Sequence, residues 1–69
     1  MRILGTSIKT VRQYIGKDCT LSYDENIIKI QIGRVTLELN DIQSVVHKRT
    51  ENILTIFSDY GNIEIDNKN

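Results

Sequence analysis

The sequence predicts a mainly β chain, β-rich α+β in class: a small antiparallel barrel or roll of five to six strands with a short N-terminal helix. Three observations carry that expectation. The 69 residues include twelve Ile, four Val and six Thr but neither Ala nor Pro, and β-branched side chains suit a pleated surface whereas Ala is the best helix former. From Cys19 onward apolar residues recur at every second position, the period at which side chains share one face of a strand. Polar and glycine-containing clusters then cut that pattern at short intervals, as hairpin turns do.

The helix is predicted over about 7–15, where Ile8, Val11 and Ile15 fall at i, i+3 and i+7. Thr6 or Ser7 can serve as its N-cap, and Gly16 suits the left-handed residue that follows a helix. Ile8, Thr10, Val11 and Ile15 are β-branched and weaken that prediction. Lys9, Arg12 and Gln13 lie mostly off the apolar stripe and give the helix a basic outer face.

A β meander then occupies about 18–66. Cys19, Leu21 and Tyr23 alternate with Thr20 and Ser22, and Asp24-Glu25-Asn26 make a turn. Ile28, Ile30 and Ile32 form the second strand, and Val35, Leu37 and Leu39 the third. Parity changes between Ile32 and Val35, so Gly33 marks either a tight hairpin or a bulged bend. Asn40-Asp41 is the next turn, before a strand from Ile42 to His47 that does not alternate cleanly. The polar run 47–52 is a loop, Ile53 to Phe57 a fifth strand and Asn62 to Ile65 a sixth, joined through Ser58-Asp59-Tyr60-Gly61. Residues 67–69 are expected to fray, and the whole chain, 1–69, reads as one domain without linker or repeat.

A domain of this size buries only about 60% of the surface its unfolded chain exposes, so anything that covers apolar surface contributes disproportionately to its stability. One cysteine forms no internal disulfide, and with one histidine it falls short of an all-protein zinc set. No cofactor or metal is expected. The chain shows neither a secretory apolar region nor the ~20 apolar residues of a membrane span; a cytoplasmic location without membrane contact is the expectation.

Nine basic and nine acidic side chains cancel, but their distribution is uneven. Residues 1–17 carry Arg2, Lys9, Arg12 and Lys17 without an acid, whereas 51–69 carry Glu51, Asp59, Glu64 and Asp66 against Lys68. Either the two ends face each other within or between subunits, or an acidic partner docks on the N-terminal segment.

Chemistry finds little foothold. Cys19 and His47 are the only nucleophile and base of dyad type, and Cys19 falls on an apolar strand face, where a small buried hydrophobe is the simpler account. Asp24, Glu25 and Asp59 sit in predicted turns, which favour Asp for its local backbone hydrogen bonds. The four glycines are scattered, so no phosphate-cradling loop is present. No small-molecule substrate is evident. The residues best placed to meet a partner are Lys9, Arg12, Tyr14 and Lys17 on the N-terminal segment, His47, Lys48 and Arg49 in the basic loop, and Tyr60 at a hairpin tip; Tyr23 and Phe57 read as core.

The order of a helix, then Tyr14-Ile15-Gly16-Lys17-Asp18-Cys19-Thr20-Leu21, then strands ending in Tyr60-Gly61-Asn62-Ile63, resembles Sm-like RNA-binding proteins. That resemblance implies a five-stranded barrel capped by the helix and closed into rings. The family's Arg-Gly before the last strand falls at Tyr60-Gly61, and no Asp-x-x-Asn motif stands near Val35 to Leu39, so the positions that carry RNA binding in the family hold other residues here. The stretch from Asp41-Ile42 to Ile65 also looks like strands of bacterial pleckstrin-like domains, which implies a β roll.

The functional expectation is a non-enzymatic binding module acting through protein–protein contact or self-association, such as a small inhibitor or adaptor of phage or mobile-element origin. The alternative is an Sm-like or other small-barrel nucleic-acid-binding protein using the basic N-terminal segment and the 47–49 loop. The partners expected are a second copy or another protein, with nucleic acid as the alternative.

Overall fold

The computed structural model describes residues 1–67. Seven strands run in the order β1 (Arg2–Thr6), β2 (Thr20–Asp24), β3 (Ile27–Ile32), β4 (Val35–Leu39), β5 (Ile42–Lys48), β6 (Ile53–Ser58) and β7 (Gly61–Asp66), with a 3₁₀ helix at Lys9–Tyr14 between the first two. They form two antiparallel sheets, one of order β1-β7-β6-β5 and one of order β2-β3-β4. The predicted meander is therefore split where the chain turns at Asn40 and Asp41, and β4 does not pair with β5. An isolated bridge between Arg2 and Asp18 links the sheets, which do not close into a barrel.

The period-two pattern is obeyed most strictly in the second sheet. Ile30 stands across from Leu21 and Leu37, and Ile28 across from Leu39, so one face collects the apolar side chains while Lys29 and Glu38 meet on the other. Ile32 pairs directly with Val35, making Gly33-Arg34 a two-residue hairpin loop, with Gly33 at φ +59° in its first central position. That residue pattern suits the primed turns whose twist matches the flanking strands, and it settles the reading of the 32–35 break as a tight hairpin.

In the first sheet Ile56 lies across from Ile63, and Ile65 across from Leu54 and Ile3. Ile3, Ile56, Ile63 and Ile65 are fully buried and form the core with Val11, Cys19, Ile28, Ile30, Ile32 and Leu39. Filling this interior with β-branched residues satisfies local strand preference and burial at once.

Three further sequence expectations are corrected. The helix over 7–15 is a 3₁₀ helix of six residues, held by bonds such as that from the Val11 N–H to the Ile8 carbonyl, 3.0 Å. The i, i+3 spacing of Ile8 and Val11 fits a three-residue turn as well as an α turn, and the β-branched residues around it favour the shorter form. No side chain caps it; instead the Thr6 hydroxyl accepts the Ile8 N–H and donates to the Asn62 carbonyl. Residues 2–6 form an additional strand, β1, whose register slips between Ile3 and Gly5. Its outer edge is occupied by the following segment, through Ile3 N–H to the Lys17 carbonyl, Gly16 N–H to the Ile3 carbonyl and Cys19 N–H to the Met1 carbonyl.

The third correction concerns the aromatics. Tyr23 is 61% exposed: it shares the apolar face with Ile28, but that part of the face is uncovered. Phe57 is 36% exposed because it stands on the face of β6 opposite to Ile56. Of the tail, Asn67 donates its N–H to the Asn52 carbonyl at 2.9 Å, and the rest lies outside the described residues.

Candidate interaction edge

Strand β5 is the edge of the first sheet that the fold leaves open. It pairs with β6 on one side, and among the described residues no strand pairs with it on the other. An uncovered edge presents alternate backbone N–H and C=O groups to the surroundings and is a template for another strand. Of the other edges, β1 is covered by residues 16–19, the start of β2 is bridged to β1, and β4 carries Leu37 and Leu39 into a cleft of about 240 Å³ lined also by Ile8, Val11 and Tyr60.

The side chains of β5 match that open edge. Val45 stands across from Ile56 and so points to the interior side of the sheet, yet it is 40% exposed; Val46 stands across from Thr55 on the outer side and is 44% exposed. Phe57, across from Ser44, and half-buried Ile53, across from Lys48, extend the outer apolar strip along β6. The strand is thus apolar on both sides at its centre, and neither side is covered.

Its ends are charged with opposite sign. Asp41 precedes β5 at φ +54°, and Asp59 lies beside it, donating its N–H to the Asp41 carbonyl and accepting from the Gln43 amide at 2.6 Å. Lys48 ends the strand and Arg49 follows. The bond to Gln43 anchors the side chain at the point where the β5–β6 register slips, between Ile42 and Ser44.

The structure divides the residues singled out by sequence. His47 and Lys48 lie on β5, with Arg49 just beyond it, all exposed. Lys9, Arg12 and Lys17 are exposed in and after the 3₁₀ helix, which packs against β1. Because β1 and β5 are opposite edges of one four-stranded sheet, the two basic groups are not gathered into one patch. Tyr14 is half-buried and packs against the core, which removes it from the aromatics free to meet a partner, whereas Tyr60 is 64% exposed. The polarity of the chain ends is partly absorbed within the fold, since β1 pairs with β7 and sets Arg2 across from Asp66.

Cys19 is buried, and that burial raises its thiol pKa, the opposite of what an activated nucleophile needs. It sits just before β2 in one sheet, at an open cleft of about 360 Å³ lined also by Asp18, Thr20, Gln31 and Gly33, while His47 is on the free edge of the other sheet. Among the described residues no group of three or more His, Cys, Asp or Glu is placed to hold a metal ion, and no helix is long and apolar enough to cross a membrane.

Val45, Val46 and Phe57 were not among the sequence candidates. The signal available was the apolar doublet Val45-Val46, which breaks the alternation; it shows apolar character on both sides of the strand without showing that both sides are open. No protein-family model, curated protein or solved structure matches the chain.

Proposed function

We propose that this protein is a non-enzymatic binding module that works by protein–protein contact through strand β5. The observation that carries the reading is the coincidence of an unpaired strand edge with apolar exposure on both of its sides, at Val45, Val46 and Phe57. Edge addition derives affinity from main-chain hydrogen bonds and specificity from alternate side chains. A chain this small also gains stability when a partner covers its apolar surface. The separation of Lys9, Arg12 and Lys17 from His47, Lys48 and Arg49 argues against one continuous phosphate-binding track.

Light scattering on the purified protein across a range of concentrations, with and without nuclease treatment, tests this. The expected result is a concentration-dependent mass above the 8.0 kDa of one chain, unchanged by nuclease. A mass that falls to one chain only after nuclease treatment contradicts it and supports a nucleic-acid carrier.

A further inference from the structure

Resting on that reading, we infer that the occupant of the β5 edge is a second copy of this chain, paired antiparallel about a two-fold axis at Val45. The argument is charge and face complementarity. A strand can pair with its own copy in a closed dimer only if its surface is self-complementary under the two-fold. Asp41 precedes β5, while Lys48 and Arg49 end and follow it. Antiparallel pairing centred on Val45, with the extra residue at the Ile42/Ser44 slip taken into account, brings the Lys48-Arg49 end of one copy beside Asp41 of the other, and does so twice. Parallel pairing would oppose like charges at both ends.

The same register satisfies the side chains. Val45 meets Val45 on the interior side, and Val46 meets Ser44 on the outer side, beside Phe57, so the half-exposed valines are covered and the two four-stranded sheets become one of eight. Directly opposed residues share a face, so the interior sides remain continuous. Strand β2, an edge of the second sheet, lacks this property: Asp18 stands before it and Asp24 and Glu25 at its end, so an antiparallel copy would bring acids together.

Disulfide trapping tests the register. Directly opposed residues have Cα atoms about 4.5–5.5 Å apart, within the range a disulfide spans, whereas diagonal neighbours lie at about 7–8 Å. Under mild oxidation Val45→Cys is expected to give a cross-linked dimer in high yield, and Val46→Cys, whose own copy is a diagonal neighbour in this register, several-fold less; buried Cys19 serves as an internal control in both. Equal trapping of the two variants overturns the register. If Val45→Cys stays uncross-linked while wild-type protein scatters as a dimer, the self-pairing edge is wrong and association uses another face. If wild-type protein scatters as one chain at every concentration, a second copy is excluded, and a strand from another protein is left as the occupant.

Discussion

Val45 and Ile56 stand directly across from each other on neighbouring strands, yet Ile56 has no exposed surface and Val45 keeps 40% of its own. One strand spacing, about 4.8 Å, separates a core position from an open one. The two residues should therefore respond differently to truncation. Ile56→Ala is expected to cost about 2–5 kcal/mol, the range for emptying a buried aliphatic site. Val45→Ala should cost under about 1 kcal/mol, in proportion to the smaller area it hides. Urea titrations at concentrations low enough to hold the protein as single chains measure both, and a larger effect at Val45 would contradict the burial pattern.

Gly61 is constrained by conformation and by space. Its φ is +140°, and a Cβ there would lie 2.5 Å from the Ser7 hydroxyl oxygen and 2.9 Å from a side-chain carbon of Ile8. The same contact holds the N-terminal segment to the β6–β7 hairpin, since the Ser7 hydroxyl accepts the Asn62 N–H and the Ser7 N–H donates to Asn62. Gly61→Ala is expected to destabilise by about 1–3 kcal/mol. Gly5→Ala, with open space around the added carbon, should fall within about 1 kcal/mol of wild type. Thermal melts of the two variants read the difference.

Burial raises the Cys19 thiol pKa. The folded state therefore holds its proton at a pH where the unfolded chain has begun to lose it. This contribution to stability is fully present below the ordinary thiol value and declines as pH rises past it. In the native protein a thiol reagent at neutral pH should modify Cys19 many-fold more slowly than in urea. Equal rates would show that the site is open. Cys19→Ser should flatten the alkaline limb of the stability–pH curve, a change that urea titrations at several pH values would register.

The ends of β5 set the electrostatic part of the proposed dimer. Arg49→Gln removes two opposite-charge pairings. At roughly 0.2–1 kcal/mol for each exposed pair, the dimer dissociation constant should rise between about twofold and thirtyfold at low salt. The effect should shrink as salt screens it. Sedimentation equilibrium at two ionic strengths gives the comparison, and an unchanged constant would remove Arg49 from the interface.

Strands β2 to β7 were legible because Ile28, Ile30 and Ile32 and then Val35, Leu37 and Leu39 repeat with period two, and because each turn carries Gly, Asn or Asp. Strand β1 was not: Ile3 is its one core residue, and the slip at Leu4 removes any alternation. Phe57 reads as core from sequence because Ile53 to Phe57 is apolar on both faces, and alternation alone does not say which face turns inward. The open edge is the least legible feature. Whether Val45 is covered depends on strand order, a relation between segments far apart in the chain, and the doublet Val45-Val46 reads the same in a central strand. Lys9, Arg12, Lys17, His47, Lys48 and Arg49 are all exposed, but their separation onto opposite sheet edges is also a property of strand order.

The most direct measurement is the solution mass of Val45→Lys by light scattering beside wild type, with circular dichroism as the check on folding. A lysine is tolerated in a single chain at a half-exposed edge position, but in the antiparallel pair it faces its own copy, where like charges repel. The account predicts a wild-type mass near twice 8.0 kDa and a folded single chain for the variant. A folded variant that keeps the wild-type mass would contradict the assignment of β5 as the surface through which this protein binds.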